Sequence, residues 1–135
     1  MKKFKTIILL TAMCMTILVF ATGFTYGLGR VNGYCESGDL NPLKKDRIRT
    51  DTYGATEQKL VATAELQYYV ESSGKYVTQG SRTAVKNYGV SGNVADTGWY
   101  ESTQGDELSI RNVYEGIIYN ANGTVDFRQP GYVFE

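Results

Sequence analysis

The chain has 135 residues, with fourteen basic and fourteen acidic side chains, two cysteines and no histidine. The missing histidine excludes Ser-His-Asp and Cys-His nucleophile systems and the histidine-containing zinc sites. Setting aside the first 23 residues, which carry three lysines and no acid, leaves a net charge of −3. That argues against nucleic acid as a partner, which requires a basic face.

The N-terminus opens Met1-Lys2-Lys3-Phe4-Lys5, followed by a sixteen-residue apolar run from Thr6 to Ala21 broken only by threonines. A basic head before a short apolar segment is the pattern of a helical secretion signal. Small residues at −3 and −1 in Ala21-Thr22-Gly23 place the cut before Phe24. Thr25-Tyr26-Gly27 offers a second site, before Leu28. A retained N-terminal membrane anchor is the alternative, but a spanning helix needs roughly 20 apolar residues. The expected organisation is a signal peptide over 1–23, then a lead-in with one or two short strands over 24–57. A main β domain follows over 58–135, and 24–135 together make one domain. The protein is expected outside the cell, touching a membrane only through the signal.

In the lead-in, Phe24, Tyr26, Leu28, Val31 and Tyr34 read as loose or short-strand structure. Asn41-Pro42 marks a turn. The charged stretch Lys44 to Arg49 leads to a second candidate strand at Thr52-Tyr53, ended by Gly54. The strongest periodicity begins at Gln58. Leu60, Ala62, Ala64, Leu66, Tyr68 and Val70 fall on one parity, and Thr63, Glu65, Gln67, Tyr69 and Glu71 on the other. Such alternation defines a half-buried strand. A turn at Ser72-Ser73-Gly74-Lys75 leads to a second strand, Tyr76 to about Tyr88. A two-residue loop at Ser73-Gly74 pairs Val70 with Val77 and Ala62 with Val85 inward, and Glu65 with Arg82 outward. This register keeps Arg82 off the core.

Gly89 to Gly98 reads as a loop. Trp99-Tyr100 starts a short strand, and Gln104-Gly105-Asp106 is a turn. Leu108 to Tyr119 is a strand whose alternation slips near Val113-Tyr114, as at a β-bulge. Asn122-Gly123 is the sharpest hairpin signal and pairs Ile118 with Phe127. The sum is an all-β chain, a small antiparallel β-sandwich or partly closed barrel of about five to seven strands. The layout resembles that of secreted proteins of Gram-positive bacteria, and of small β-sandwich bacteriocin precursors among them. It carries no residue roles.

Chemical motifs are sparse. Ser72-Ser73-Gly74-Lys75 matches a Ser-x-x-Lys pattern, but it forms a turn where that chemistry needs a helix start. Gly27-Leu28-Gly29 with Gly33 follows a leader, not a strand, so it fails as a dinucleotide loop. Glu101 and Asp106-Glu107 are the remaining acid–base pair candidates. Asn122-Gly123-Thr124 is a glycosylation sequon better explained by the hairpin. Cys35 is the one cysteine left after the leader, which excludes an all-cysteine zinc site. It reads as a small core residue more readily than as a reactive thiol. No catalytic residue, metal or cofactor is expected.

The aromatics are the remaining lead. Trp99, Tyr100, Tyr119 and Tyr132 lie in or near turns of the C-terminal half and are the candidate ligand-binding residues. The expected function is a non-catalytic extracellular binding module for a cell-surface glycan or another extracellular protein. A bacteriocin-like toxin or inhibitor, and a small hydrolase using acidic residues, are the alternatives.

Overall fold

The computed structural model describes residues 30–102 and 109–135. The expected signal peptide and the expected turn at Gln104-Gly105-Asp106, with Glu107, lie outside the described residues. Val31–Glu135 is one compact unit. Among the described residues eight strands form two antiparallel sheets. They are β1 (Arg30–Glu36), β2 (Arg47–Tyr53), β3 (Lys59–Val70), β4 (Lys75–Lys86), β5 (Val94–Asp96), β6 (Tyr100–Glu101), β7 (Ile110–Tyr119) and β8 (Val125–Phe134). The larger sheet runs β4-β3-β7-β8. The smaller runs β1-β2-β5, with β6 also on β2. The chain is all-β, and neither sheet closes into a barrel.

The alternation read in Gln58 to Val70 sets β3. Leu60, Ala62 and Ala64 are fully buried and Leu66 nearly so, while their odd-numbered neighbours are half exposed. The same face packs on the smaller sheet. Ile48 of β2 meets Ala64, Leu66 and Ile110. Ala95 of β5 meets Leu60, Ala62 and Ile118. At Gly116 the sheets approach so closely that an added Cβ would sit 2.1 Å from Val31 Cγ2.

The strand count exceeds the expected five to seven because the glycine-rich stretch after Gly89 is not all loop. Asp51, Thr52 and Tyr53 face Asp96, Ala95 and Val94, whereas Arg47 and Ile48 face Glu101 and Tyr100. The edge therefore gains one residue between β5 and β6. Gly98 sits there at φ 64°, as in a bulge built on a left-handed glycine. One bulged edge strand reads as two short ones.

The β3–β4 register differs from the expected one. Val70 faces Lys75 across a four-residue turn that Gly74 closes at φ 64°, its amide donating to Val70 O (2.8 Å). Beyond a bulge opposite Leu66 and Gln67, Ala62 faces Ala84, Ala64 faces Arg82 and Glu65 faces Ser81. The expected Glu65–Arg82, Val70–Val77 and Ala62–Val85 pairs do not form. Val77 and Val85 are 41% and 51% exposed. Keeping charge off an inner face decides register only where that face is covered along its whole length. β4 is an edge strand. Its inward positions carry Gly80 beneath the Tyr100 ring and Arg82 beside Gly98. They also carry buried Lys86, whose ammonium donates to the carbonyls of Thr56 (2.5 Å), Val90 (3.2 Å) and Ala55 (3.4 Å). Three donors meet three acceptors, so the cation is held without a carboxylate.

The slip expected at Val113-Tyr114 is also absent. β7 pairs β3 without interruption from Tyr119 to Ile110. The pattern looks broken because Asn112 occupies an inward position. It is fully buried, and its amide nitrogen donates to Arg49 O (2.9 Å), Tyr34 O (3.1 Å) and Thr50 Oγ1 (3.2 Å). Its Oδ1 accepts from Glu65 N (3.2 Å). A polar side chain satisfied this fully ties β7 to both strands β1 and β2. The Asn122-Gly123 hairpin forms as expected, with Ile118 facing Phe127. Its slip of register lies between Ile118 and Tyr119, at the turn.

Candidate functional site

Pairing places the odd-numbered residues of β3 and β7 on the solvent side of the larger sheet, beside Tyr76 of β4 and Tyr132 and Phe134 of β8. At one end of this face the aromatics gather around Arg111. Tyr69 and Tyr76 have ring centroids 5.3 Å apart. Phe134 meets Tyr76 edge-on at 6.3 Å and lies nearly parallel to Tyr132 at 6.4 Å. The Arg111 guanidinium carbon stands 3.8 Å from the Tyr76 centroid, 4.7 Å from Tyr132 and 6.0 Å from Phe134. Tyr132 and Phe134 remain 58% and 57% exposed.

A polar ladder fixes the arginine from the other side. Its Nε donates to Gln67 Oε1 (2.8 Å). The Gln67 amide nitrogen donates to Glu65 Oε1 (2.5 Å) and Thr78 Oγ1 (3.2 Å), and Thr78 donates to Glu65 Oε1 (2.6 Å). Among the described residues no carboxylate pairs with Arg111.

The solvent side of the smaller sheet is built differently. Arg47 donates to Glu36 (2.6 Å) and lies 4.3 Å from the Trp99 ring, which meets Tyr34 at 6.3 Å. Arg49 reaches Asp51 Oδ1 (3.0 Å) and Asp96 Oδ2 (2.8 Å). Asp51 is only 1% exposed, with Tyr53 donating to it at 3.4 Å. Burial raises the Asp51 carboxyl pKa, and a hydrogen bond and charge repulsion from Asp96 add to that against the pull of Arg49. Burial raises Asp96 too, but the Gly98 amide, Asp51 and Arg49 outweigh it and hold Asp96 below the usual value. This carboxyl pair, stapling β2 to β5 across one register position, has no local signal in the sequence. Its members are 45 residues apart and only strand pairing brings them together.

The sequence-derived candidates are therefore not one site. Tyr132 belongs to the Arg111 cluster. Tyr119 lies on the same face at the far end, with Lys59 Nζ 5.5 Å from its ring. Trp99 lies half-buried on the smaller sheet's outer face, and Tyr100 points inward onto the core. Tyr69, Tyr76, Arg111 and Phe134 escaped notice. The signal available was their shared outward parity at the ends of neighbouring strands, and it required the correct β3–β4 register. Of the acid candidates, Glu101 pairs with Lys45 (3.5 Å). Cys35 packs against the core, and burial pushes its thiol up to about 12, far from thiolate chemistry. No group of three or more metal-ligating side chains occurs among the described residues, nor any helix long and apolar enough to cross a membrane.

These features define an all-β, two-sheet protein with an exposed aromatic and cationic surface. Comparison with protein-family models, curated proteins and solved structures gives no match.

Proposed function

We propose that the protein is a secreted, non-catalytic binding module with a β-sandwich fold, which engages its partner through the outer face of the larger sheet. The observation that carries this reading is the cluster of Tyr76, Tyr132 and Phe134 around Arg111, with two large rings more than half exposed. Rings with two side-chain torsions present contact area at low entropic cost. Exposed apolar groups gathered in one place mark interaction surfaces, whereas scattered ones do not. The non-catalytic part rests on the absence of histidine and on the ties holding Glu101, Asp51 and Asp96. Secretion rests on the basic head and apolar run of the first 23 residues.

Two measurements test this. Mass spectrometry of culture medium should find a chain starting at Phe24 or Leu28, and full-length protein confined to membranes would refute secretion. Fluorescently labelled protein should bind intact cells, and Tyr132→Ala with Phe134→Ala should remove that binding without lowering the melting temperature appreciably. Unchanged binding by the double variant would dismiss the surface.

A further inference from the structure

The outer face of the larger sheet holds a cation whose charge no carboxylate among the described residues takes up. Arg47 and Arg49, on the other sheet, are each bonded to carboxylates. Arg111 uses its Nε on a neutral amide, and its two terminal nitrogens have no partner among the described residues. Those nitrogens form the fork that matches a carboxylate. Gln67 fixes the fork's position, and the Tyr76 and Tyr132 rings flank it.

Resting on the binding reading above, we propose that this surface recognises an acidic sugar. Tyr132 and Phe134 stack against the pyranose, and Arg111 takes its carboxylate. Tyr132 and Phe134 lie within 29° of parallel, side by side, and more than half exposed. Flat ring faces carry partial negative charge and meet the slightly positive C–H face of a sugar. Glu65 and Thr78, in the same hydrogen-bonded ladder, present acceptor oxygens suited to sugar hydroxyls. One guanidinium, carrying a single positive charge, suits a single carboxylate better than the double charge of a phosphate monoester. A carboxylate-bearing sugar satisfies the rings, the fork and the charge together.

The test is calorimetric titration of the purified protein with galacturonic, glucuronic and sialic acid oligosaccharides. Each is run beside its carboxyl-reduced counterpart, which keeps the ring and loses the charge. At least one acid form should bind about tenfold or more tightly than its reduced form. That preference should shrink as salt is raised. Arg111→Gln should erase it, Arg111→Lys should retain part of it, and Tyr132→Ala should weaken acid and reduced forms alike. Melting curves of the variants confirm that each is folded. Equal binding of both forms, no binding to any pair, or a preference surviving Arg111→Gln overturns the proposal. The broader binding reading then stands or falls separately, on whether Tyr132→Ala with Phe134→Ala still removes binding to cells. A glutamate peptide bound as tightly as the sugars and indifferent to Tyr132→Ala would also overturn it, in favour of a protein partner. So would a dimer seen by sedimentation in the wild type and absent in Tyr132→Ala, which would assign the face to a second copy.

Discussion

The two outer faces of this protein use the same residue types to opposite ends. On the smaller sheet, Arg47 and Arg49 lie against Trp99 and Tyr34, but each is bonded to carboxylates, and Asp51 beneath them is buried. On the larger sheet, Arg111 lies against Tyr76 and Tyr132 with no carboxylate among the described residues, and Tyr132 and Phe134 stand more than half exposed. Where charge is consumed internally, removing a member leaves a buried group uncompensated, so the cost appears in folding. Where charge and apolar surface are left open, removal costs folding little and the consequence appears in binding. Aromatic and basic composition alone does not distinguish the two.

The contrast depends on a core that both faces share. Leu66→Ala should therefore be the most damaging change, costing about 2–5 kcal/mol in a denaturant melt. A loss no larger than that from an exposed substitution would show that the sheets are not packed through this residue. Next comes the arginine comparison itself. Arg49→Ala strips the cation from buried Asp51 and should cost about 1–3 kcal/mol, reduced from a fully buried pair because the Arg49 side chain is one-third exposed. Arg111→Gln should cost less than about 1 kcal/mol, the range of an exposed cation–ring contact. Reversal of that order would break the distinction between the faces.

The carboxyl pair sharpens the comparison through pH. The folded state holds the Asp51 proton more tightly than the unfolded chain does. Its contribution to stability is thus present below the unfolded carboxylate value and is lost as pH rises through the folded value. Asp96, held lower in the folded state, contributes above the unfolded value and loses that contribution as pH falls through its folded value. Asp96→Asn removes the repulsion acting on Asp51, so the Asp51 carboxyl should titrate at lower pH than in the wild type, read by carbon NMR. An unmoved midpoint would mean the two carboxyls do not act on each other. The smallest folding effect belongs to the open face. Tyr132→Ala should change stability by within about 0.5 kcal/mol, the usual range for surface substitutions. A loss of several kcal/mol in the same melt would make Tyr132 a structural residue.

Strand β3 was legible in the sequence because both of its neighbours and the whole opposing sheet cover one face, so its alternation reports burial directly. The Asn122-Gly123 hairpin was legible because its turn chemistry is local, with Gly123 at φ 85°. Strand β4 was misread because an edge strand buries its inward face only in part, and because the bulge before Gly80 exchanges its parity. Asn112 imitated a break in β7 because a sequence shows polarity but not the carbonyls that satisfy it. The Arg111 cluster needs three register relations at once, β4 on β3, β3 on β7 and β7 on β8. Each local sequence is compatible with neighbouring registers, and a shift of one residue would send Tyr76 or Tyr132 to the opposite face. Composition and periodicity thus determined the all-β class, the central strand and the C-terminal hairpin, since those follow from local turn preference and burial. Which arginine is spent on carboxylates and which is left open was decided by strand pairing, because charge compensation depends on distances between residues far apart in the chain.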